Sequence, residues 1–169
     1  MSIVEKNLLE LVKALAENQV KFVICGGIAC VMHGVERNTF DVDISVQMDS
    51  ENLHKIQQIA RKFDLYPRIP EPPENLLDES VRKSWIENKG ALVYTFISGN
   101  SPLQMDIFLS YPKTYEELIS KADRVIIDDL EIPISSIDDL IYAKNQIEPI
   151  RDKDRSDIVE LKKLNESKN

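Results

Sequence analysis

The sequence predicts an α+β (α/β) fold, in which helices flank a central β-sheet and further helices close the chain. Three observations support this fold class. Apolar residues recur at helical spacing in residues 3–18, residues 40–48 alternate between apolar and polar side chains, and Gly26-Gly27 separates a strand-like run from a helical one. Strand and helix signals therefore alternate along the chain.

Length and composition favour one domain. The chain has 169 residues, of which 43% are hydrophobic, and a chain of this size buries roughly 70% of its extended surface on folding. We therefore expect a single domain over residues 1–169, with a core over about 1–134 and C-terminal helices over about 135–166.

Charge and cysteine content exclude several classes of function. No apolar run is long enough to span a membrane, and Glu5, Lys6 and Lys13 stand where a signal peptide would be apolar. We therefore expect a cytoplasmic protein with no membrane partner. The net charge of −8 argues against general duplex-DNA binding, which needs clustered Lys and Arg. Cys25 and Cys30 lack the further ligands of a zinc site and are expected to be buried thiols.

The first third of the chain is predicted to form helix, strand and helix. Apolar residues at helical spacing predict an amphipathic helix over residues 3–18, which begins after Ser2. Residues 21–24 are rich in β-forming side chains and predict a short strand. After the two glycines, residues 28–33 predict a second helix that Gly34 ends.

The next segment contains the clearest strand and then an irregular region. Over residues 40–48 apolar and polar side chains alternate, which is typical of a strand with one buried face. Residues 50–63 predict a helix, and a polar helix containing Trp85 follows later. Between them we expect a loop without regular structure, acting as a lid or a connection, because four prolines interrupt it: Pro67, Pro70, Pro72 and Pro73.

The second half begins with a predicted hairpin. Residues 91–97 and 103–109 are strand-like, and residues 98–102 have the Ser, Gly, Asn and Pro composition of a turn. The remaining predicted elements are a helix at 114–122, short strands around Val125 and Ile132, and helices near 136–148 and 152–164.

Asp41 and Asp43 are the first candidate site. Two residues apart on a strand, their side chains point to one face with α-carbons about 6.6 Å apart. Neighbouring carboxylates repel each other, and Mg²⁺ prefers carboxylate oxygens together with water and phosphate ligands. The pair suits a metal site, but solvent-facing strands carry such pairs as well, so the spacing leaves both interpretations open.

Gly26-Gly27 is the second candidate. Glycines let a backbone approach phosphates closely, and the N–H groups and dipole at the start of the following helix favour anions. An ordinary tight turn is the alternative. His33 is predicted to be a structural hydrogen-bonding residue rather than a catalytic one.

The combined pattern resembles a known signature. The residues that carry the resemblance are Phe22-Val23-Ile24-Cys25-Gly26-Gly27-Ile28-Ala29, then His33-Gly34, Arg37, Thr39, Asp41 and Asp43, and later Ile137 to Lys144, Arg151-Asp152-Lys153-Asp154 and Asp157. They are similar to the polymerase-β-like nucleotidyltransferase superfamily, in particular its minimal nucleotidyltransferase and AbiEii-toxin-like branch. The resemblance implies a nucleotidyltransferase fold with a mixed sheet.

The resemblance also implies a third carboxylate from a later strand. Asp106 stands where the pattern expects it, with Asp128 and Asp129 as the fallback and a solvated polar face as the alternative. Asp41, Asp43 and Asp106 would then be both the catalytic residues and the metal ligands. The family commonly has Gly-Ser where this chain has Gly26-Gly27, which implies weakened nucleotide binding.

The remaining nucleotide-binding candidates are Arg37, Thr39 and Lys144, in addition to Gly26 and Gly27. Lys144 lies on the inward face of its predicted helix, where Ser136 is expected to cap the first turn. A buried lysine needs an anionic partner, which here is either a nucleotide phosphate or a carboxylate such as Asp157. Arg37 has the same two alternatives.

Two functions follow from these residues. The first is transfer of a nucleoside monophosphate from an NTP, in the first instance ATP, to an acceptor hydroxyl on RNA, protein or a small molecule. The reaction would use two Mg²⁺ ions, which Mn²⁺ can replace. The second is a non-catalytic binding module or a toxin–antitoxin component with an antitoxin-type protein partner, which Gly27 and the acidic surface motivate.

Overall fold

The computed structural model describes residues 3–168, without the Val4 side chain, and places one seven-stranded sheet among seven α-helices within them. The strands are β1 (Phe22–Cys25), β2 (Asp41–Val46), β3 (Leu65–Pro67), β4 (Val93–Ser98), β5 (Gln104–Phe108), β6 (Asp123–Ile127) and β7 (Leu130–Ile134). The helices are α1 (Ile3–Glu17), α2 (Gly26–His33), α3 (Ser50–Lys62), α4 (Glu79–Lys89), α5 (Tyr115–Lys121), α6 (Ile137–Asn145) and α7 (Asp152–Ser167). The predicted α+β class is confirmed.

The sheet is mixed, with the strand order β3-β4-β5-β2-β1-β7-β6. Strands β2 and β5 are parallel, as are β1 and β7, and the other neighbours are antiparallel. The two strands that carry the predicted carboxylates are therefore neighbours at the centre of the sheet, although about sixty residues separate them in sequence.

Alternation along β2 assigns the two faces of the sheet. Val42 and Ile44 are fully buried and belong to the main core, together with Leu11 and Leu15 of α1. Asp41 and Asp43 point to the opposite face, since successive strand residues alternate. On that opposite face a small separate apolar cluster forms around Val23, Cys25 and Leu118.

The main predicted elements are confirmed, and two details are corrected. The helix after the glycines begins at Gly26 itself rather than at residue 28, and α6 ends at Asn145 rather than near 148. The hairpin of β4 and β5 is present, and Ser136 caps α6 by accepting a hydrogen bond from the Asp139 amide. Ser2, the predicted start of the first helix, lies outside the described residues.

The expectation that the prolines forbid regular structure was wrong. Leu65–Pro67 forms the edge strand β3, and Pro73–Leu77 forms a 3-10 helix with proline in its first turn. Both positions tolerate proline, because an edge strand and a first helical turn leave N–H groups unpaired. Leu76 is buried and the Tyr94 hydroxyl donates to the Glu71 carbonyl at 2.6 Å, so the segment is anchored on the core.

Across residues 3–168, no helix combines the length and apolar character needed to cross a lipid bilayer.

Candidate active site

A polar row crosses the centre of the sheet. Asp43 of β2 lies opposite Asp106 of the parallel strand β5, and Asp106 lies opposite Thr95 of β4. On the other side Asp43 lies opposite Cys25 at the end of β1. Directly paired strand residues project to the same face, so the structure brings Asp43 and Asp106 together as the sequence predicts.

Asp41 lies two residues before Asp43 on the same face, opposite Gln104 of β5. Asp41 and Asp43 are partly buried, whereas Asp106 is only 8% exposed. The three carboxylates therefore occupy one patch on the same face of the sheet. The patch is partly buried at β2 and more deeply buried at β5.

The electrostatics of this patch oppose full ionisation. Burial, followed by the charge of Asp106, a hydrogen bond with Asp106 and the charge of Asp41, raises the pKa of Asp43 to about 7. Burial and the charge of Asp106 also raise the pKa of Asp41, although Lys153, Arg68 and Arg37 oppose that rise. The patch holds negative charge that its own surroundings do not neutralise.

Gly26 explains how the backbone fits against this patch. It begins α2 with φ of +61°, and a Cβ built there would overlap Oδ2 of Asp43. Only glycine combines a left-handed φ with so close an approach. The first turn of α2 is therefore placed directly against the Asp43 carboxylate.

Gly27 has a different neighbour. A Cβ at this position would lie 3.1 Å from the guanidinium carbon of Arg37 and 3.1 Å from the Thr39 hydroxyl oxygen. Arg37 and Thr39 thus cover the space that a side chain at position 27 would fill. A side chain at position 27 would therefore require Arg37 and Thr39 to shift by a few tenths of an ångström.

Lys144 belongs to a buried group of charges. Its Nζ lies 3.2 Å from an oxygen of Asp154 and 2.9 Å from an oxygen of Asp157, and the three side chains are at most 9% exposed. Arg37 pairs with Asp157 through a short contact, and Arg151 pairs with Asp154 through two hydrogen bonds of 2.5 and 3.1 Å. The inward lysine is confirmed, and its partners are carboxylates.

The same ion pairs hold Asp154 in its charged form. Burial would raise the pKa of Asp154, but the hydrogen bond from Arg151 and the charge and hydrogen bond of Lys144 outweigh it and leave the pKa below the usual range. Helix α7 is thereby tied to α6 at its first turn. Three cations, Arg37, Lys144 and Arg151, converge on two carboxylates.

One cleft of about 1120 Å³ joins these features. All eight residues that the sequence nominates line it: Gly26, Gly27, Arg37, Thr39, Asp41, Asp43, Asp106 and Lys144. Its volume is slightly above the usual range of roughly 300–1,000 Å³ for small-molecule sites. The cleft therefore has room for a nucleotide and part of an acceptor.

Other candidates lie away from the cleft. The fallback residues Asp128 and Asp129 form the two-residue turn between β6 and β7, with φ of 48° and 66°, and Asp128 pairs with Lys13 at 2.8 Å. His33 hydrogen-bonds the Ser135 carbonyl at 2.7 Å, as its structural interpretation predicts.

The expected state of the cysteines is confirmed. Cys25 and Cys30 are fully buried free thiols. Burial raises the pKa of Cys25 to about 12 and that of Cys30 to about 11, so neither thiol is a nucleophile near neutral pH.

Several cleft residues were missed by sequence reasoning. Tyr142, Arg151 and Lys153 line the cleft. They belong to the C-terminal part of the family-like pattern, which was the available signal for them. Thr95 donates a hydrogen bond to Asp106 at 2.6 Å. Its own sequence neighbourhood carries no signal, because only the register of β4 against β5 brings the two side chains together.

The carboxylate oxygens of the patch suit part of the ligand shell of a hard cation. Within residues 3–168, no three His, Cys, Asp or Glu side chains are grouped closely enough to enclose a metal ion by themselves. Mg²⁺ sites at phosphates commonly use one or two carboxylates plus water and phosphate oxygens rather than a complete protein cage. The oxygen ligands of Asp41, Asp43 and Asp106, and the raised pKa of Asp43, match that type of site.

Comparison with known proteins gives a structural answer only. No protein-family model and no curated protein matches the sequence. Among solved structures, the lincosamide antibiotic adenylyltransferase LnuA, in lincomycin-bound form, aligns with a TM-score of 0.63 and 16% identity over 95% of this chain and 97% of that one. The antibiotic-resistance factor ANT(2'')-Ia aligns with a TM-score of 0.56 and 14% identity over 100% of this chain and 86% of that one.

A third neighbour is an antigenic nucleotidyltransferase-like protein from Paracoccidioides brasiliensis. It aligns with a TM-score of 0.52 and 16% identity over 95% of this chain and 76% of that one. The three neighbours share one fold class, and the seven-stranded mixed sheet with its flanking helices matches it. The chain therefore has the nucleotidyltransferase fold, which confirms the fold implied by the resemblance.

Proposed function

We propose that this protein is a Mg²⁺-dependent nucleotidyltransferase that moves a nucleoside monophosphate from an NTP, in the first instance ATP, to an acceptor hydroxyl. One observation carries the proposal. In a nucleotidyltransferase fold, a single cleft joins three strand carboxylates to a glycine turn at a helix start and to a group of cations.

Charge in the cleft supports a requirement for metal ions. Four basic side chains line it, namely Arg37, Lys144, Arg151 and Lys153, against five acidic ones, namely Asp41, Asp43, Asp106, Glu148 and Asp154. Such a lining offers no net attraction to a triphosphate. Divalent cations supply that attraction and neutralise the carboxylate patch at the same time.

The residues divide into two groups along the cleft. Asp41, Asp43 and Asp106 would hold Mg²⁺, which supplies charge stabilisation for the transferring phosphoryl group. The start of α2 at Gly26 and Gly27 offers backbone N–H groups to phosphate oxygens, with Arg37 and Lys144 adjacent. The triphosphate would thus lie alongside the first turn of α2, next to the β2 carboxylates that this turn contacts.

The reaction is an in-line substitution at the α-phosphorus. The acceptor oxygen forms a bond to that phosphorus, the bond to the bridging oxygen of the β-phosphate breaks, and pyrophosphate leaves. The acceptor hydroxyl must lose its proton, and we assign Asp106 as the carboxylate that takes it. Its environment differs from that of the other two, because it is more buried and accepts hydrogen bonds from neutral donors.

We propose a small hydroxyl compound as the acceptor class to test first. Part of the cleft wall is apolar and aromatic, with Leu92, Phe108, Tyr111 and Ile147 among its residues. Such a wall suits a compact, partly apolar acceptor better than a polyanion. LnuA, which shares the fold, is an antibiotic adenylyltransferase seen with lincomycin.

The test is transfer of label from α-³²P-NTPs in the presence of Mg²⁺ or Mn²⁺. Each NTP is incubated with a panel of hydroxyl-bearing antibiotics and metabolites, with total RNA and with a protein extract. The expected result is a labelled product that requires metal and disappears in Asp43→Asn, whereas Glu87→Gln, an exposed carboxylate on α4, leaves it intact. The absence of a labelled product with every NTP and acceptor would remove the proposal.

The second candidate is a non-catalytic binding module, with an AbiEii-type toxin–antitoxin component as its particular form. The observation that favours it is that Arg37 and Lys144 are already paired with carboxylates. Calorimetry with Mg²⁺-ATP separates the two functions, because an enzyme must bind the nucleotide. If the protein binds no nucleotide but is recovered from cells in a stable complex with another protein, that result supports the binding module.

A further inference from the structure

Thr95, Gln104 and Arg68 form hydrogen bonds that converge on Asp106, directly from Thr95 and Gln104 and through Gln104 from Arg68. The Thr95 hydroxyl donates to Oδ1 of Asp106 at 2.6 Å. The Gln104 amide nitrogen donates to both carboxylate oxygens, at 3.2 and 3.1 Å. The carbonyl oxygen of the same amide accepts from Arg68 at 2.5 Å. None of these three residues has a role in the function proposed above.

The direction of these hydrogen bonds follows from the donors and acceptors available. An ionised Asp106 only accepts, and Arg68 only donates, so Gln104 must turn its NH₂ to Asp106 and its carbonyl to Arg68. The opposite amide orientation would leave two oxygens facing each other and two donors facing each other. Arg68 therefore determines the orientation of the Gln104 amide, and Gln104 acts on Asp106.

The surroundings of Asp106 make such support necessary. Asp43 lies opposite it on the neighbouring strand, and the two carboxylates repel. Asp106 is 8% exposed and Thr95 is 7% exposed, so water provides little compensation. Without donors on its β4 side, the carboxylate would rotate away from Asp43.

We propose that Thr95 and Gln104 are positioning residues that hold the Asp106 carboxylate in its working orientation, with Arg68 holding Gln104. This inference rests on the function proposed for the same site. Thr95 and Gln104 approach Asp106 from β4 and along β5, so its remaining lone pairs face β2. A ligand for Mg²⁺ and an acceptor for the substrate proton are thereby kept on the side of Asp41 and Asp43.

A metal titration tests the proposal without any need for turnover. Free Mn²⁺ is measured by electron paramagnetic resonance with the wild-type protein, Thr95→Val and Thr95→Ser. Valine keeps the shape of threonine but lacks the hydroxyl, and serine keeps the hydroxyl. We expect Thr95→Val to weaken Mn²⁺ binding about tenfold, as loss of a supporting residue around a metal ligand commonly does, and Thr95→Ser to restore it to within about threefold of wild type.

Steady-state kinetics of the same variants provide a second measurement. A residue that orients a group used in the chemical step changes kcat rather than KM for ATP. We expect Thr95→Val and Gln104→Leu to lower kcat at least tenfold with KM for ATP within about threefold of wild type. Arg68→Met should produce a smaller loss of kcat, since it acts only through Gln104.

The outcomes are separable. Wild-type Mn²⁺ affinity in both Thr95→Val and Gln104→Leu would overturn the positioning role, and so would a Thr95→Ser variant as weak as Thr95→Val. If Thr95→Val does not fold, the Mn²⁺ affinities of Gln104→Leu and Gln104→Glu decide the question, because Gln104 is only partly buried and its replacement disturbs the core less. A wild-type protein that binds Mn²⁺ but transfers no nucleotide removes the proposed function, and the positioning role is then judged from the metal titration alone.

Discussion

Asp43 and Asp106 lie opposite each other on the parallel strands β2 and β5, and Asp43 also contacts the start of α2 at Gly26. This arrangement places like charges side by side at a partly buried position. The pKa of Asp43 rises as a result, chiefly from burial and then from Asp106. Stability is therefore lower than it would be with a neutral residue, which is a common feature of functional sites.

The pH dependence of stability tests this relationship. Asp43 has a folded pKa of about 7 against about 3.9 in an unfolded chain. Because the folded pKa is raised, the folded protein favours the protonated form, and stability falls as the pH rises from about 4 to 7. We expect Asp43→Asn to raise the melting temperature of the metal-free protein at pH 8 by about 3–6 °C, with little change near pH 4.5.

The exposed Glu87→Gln variant is the control for this experiment and should change the melting temperature equally little at both pH values. Mg²⁺ should raise the melting temperature of the wild type more than that of Asp43→Asn, because ligand binding to the folded state stabilises it. If Asp43→Asn were less stable than the wild type at pH 8, the conclusion that the negative charge of Asp43 destabilises the folded protein would be contradicted.

A pair of glycine variants tests the approach of α2 to the carboxylates. Gly26 and Gly90 have nearly equal φ values, +61° and +62°, but a Cβ at Gly90 meets nothing within 4 Å. Both alanine variants lose about 1–2 kcal/mol from the left-handed backbone. We expect Gly26→Ala to lose clearly more in urea unfolding and also to lose Mn²⁺ binding, whereas Gly90→Ala keeps it.

The buried ion group predicts a large loss for one substitution. Lys144→Met leaves Asp154 and Asp157 buried with one cation fewer. Because Arg151 and Arg37 still pair with them, we expect a loss at the lower end of the roughly 3–5 kcal/mol that a fully broken buried pair costs. Lys163→Met removes an exposed pair with Glu160 and should cost within about 0.5 kcal/mol. Urea denaturation measures both, and similar values for the two variants would show that the cluster contributes little to stability.

The contact between Gly27 and Arg37 predicts non-additive effects. A serine at position 27 would press on the Arg37 guanidinium, which is held by Asp157. We expect Gly27→Ser to weaken Mg²⁺-ATP binding several-fold in the wild type and by less in an Arg37→Ala background, where Thr39 still lies against position 27. The coupling should reach about 1 kcal/mol in calorimetric titrations. Additive effects would mean that Arg37 does not fill the space at position 27.

Local patterns were sufficient for part of this architecture. The alternation in β2 correctly assigned Asp41 and Asp43 to one face, since a period of two residues follows directly from strand geometry. Asp106 was proposed on a different basis, because the family resemblance implies a third carboxylate from a later strand. The inward position of Lys144 followed from helical spacing.

What local patterns could not supply was register and sheet order. The prolines were interpreted as a loop because the sequence does not show that Leu65–Pro67 lies at an edge of the sheet, where proline is tolerated. Thr95 gained its role only through pairing of β4 with β5. The choice between phosphate and carboxylate as partner of Lys144 likewise required the packing of α7 against α6.

The most direct test of the proposed active site is label transfer from α-³²P-ATP by the wild-type protein, Asp43→Asn, Asp106→Asn and Glu87→Gln, each with Mg²⁺ and with EDTA. The proposed site predicts a labelled product from the wild type and Glu87→Gln in Mg²⁺, a loss of at least 100-fold in the two aspartate variants, about 2.7 kcal/mol of barrier, and no product in EDTA. Equal labelling by the wild type and Asp43→Asn would contradict it.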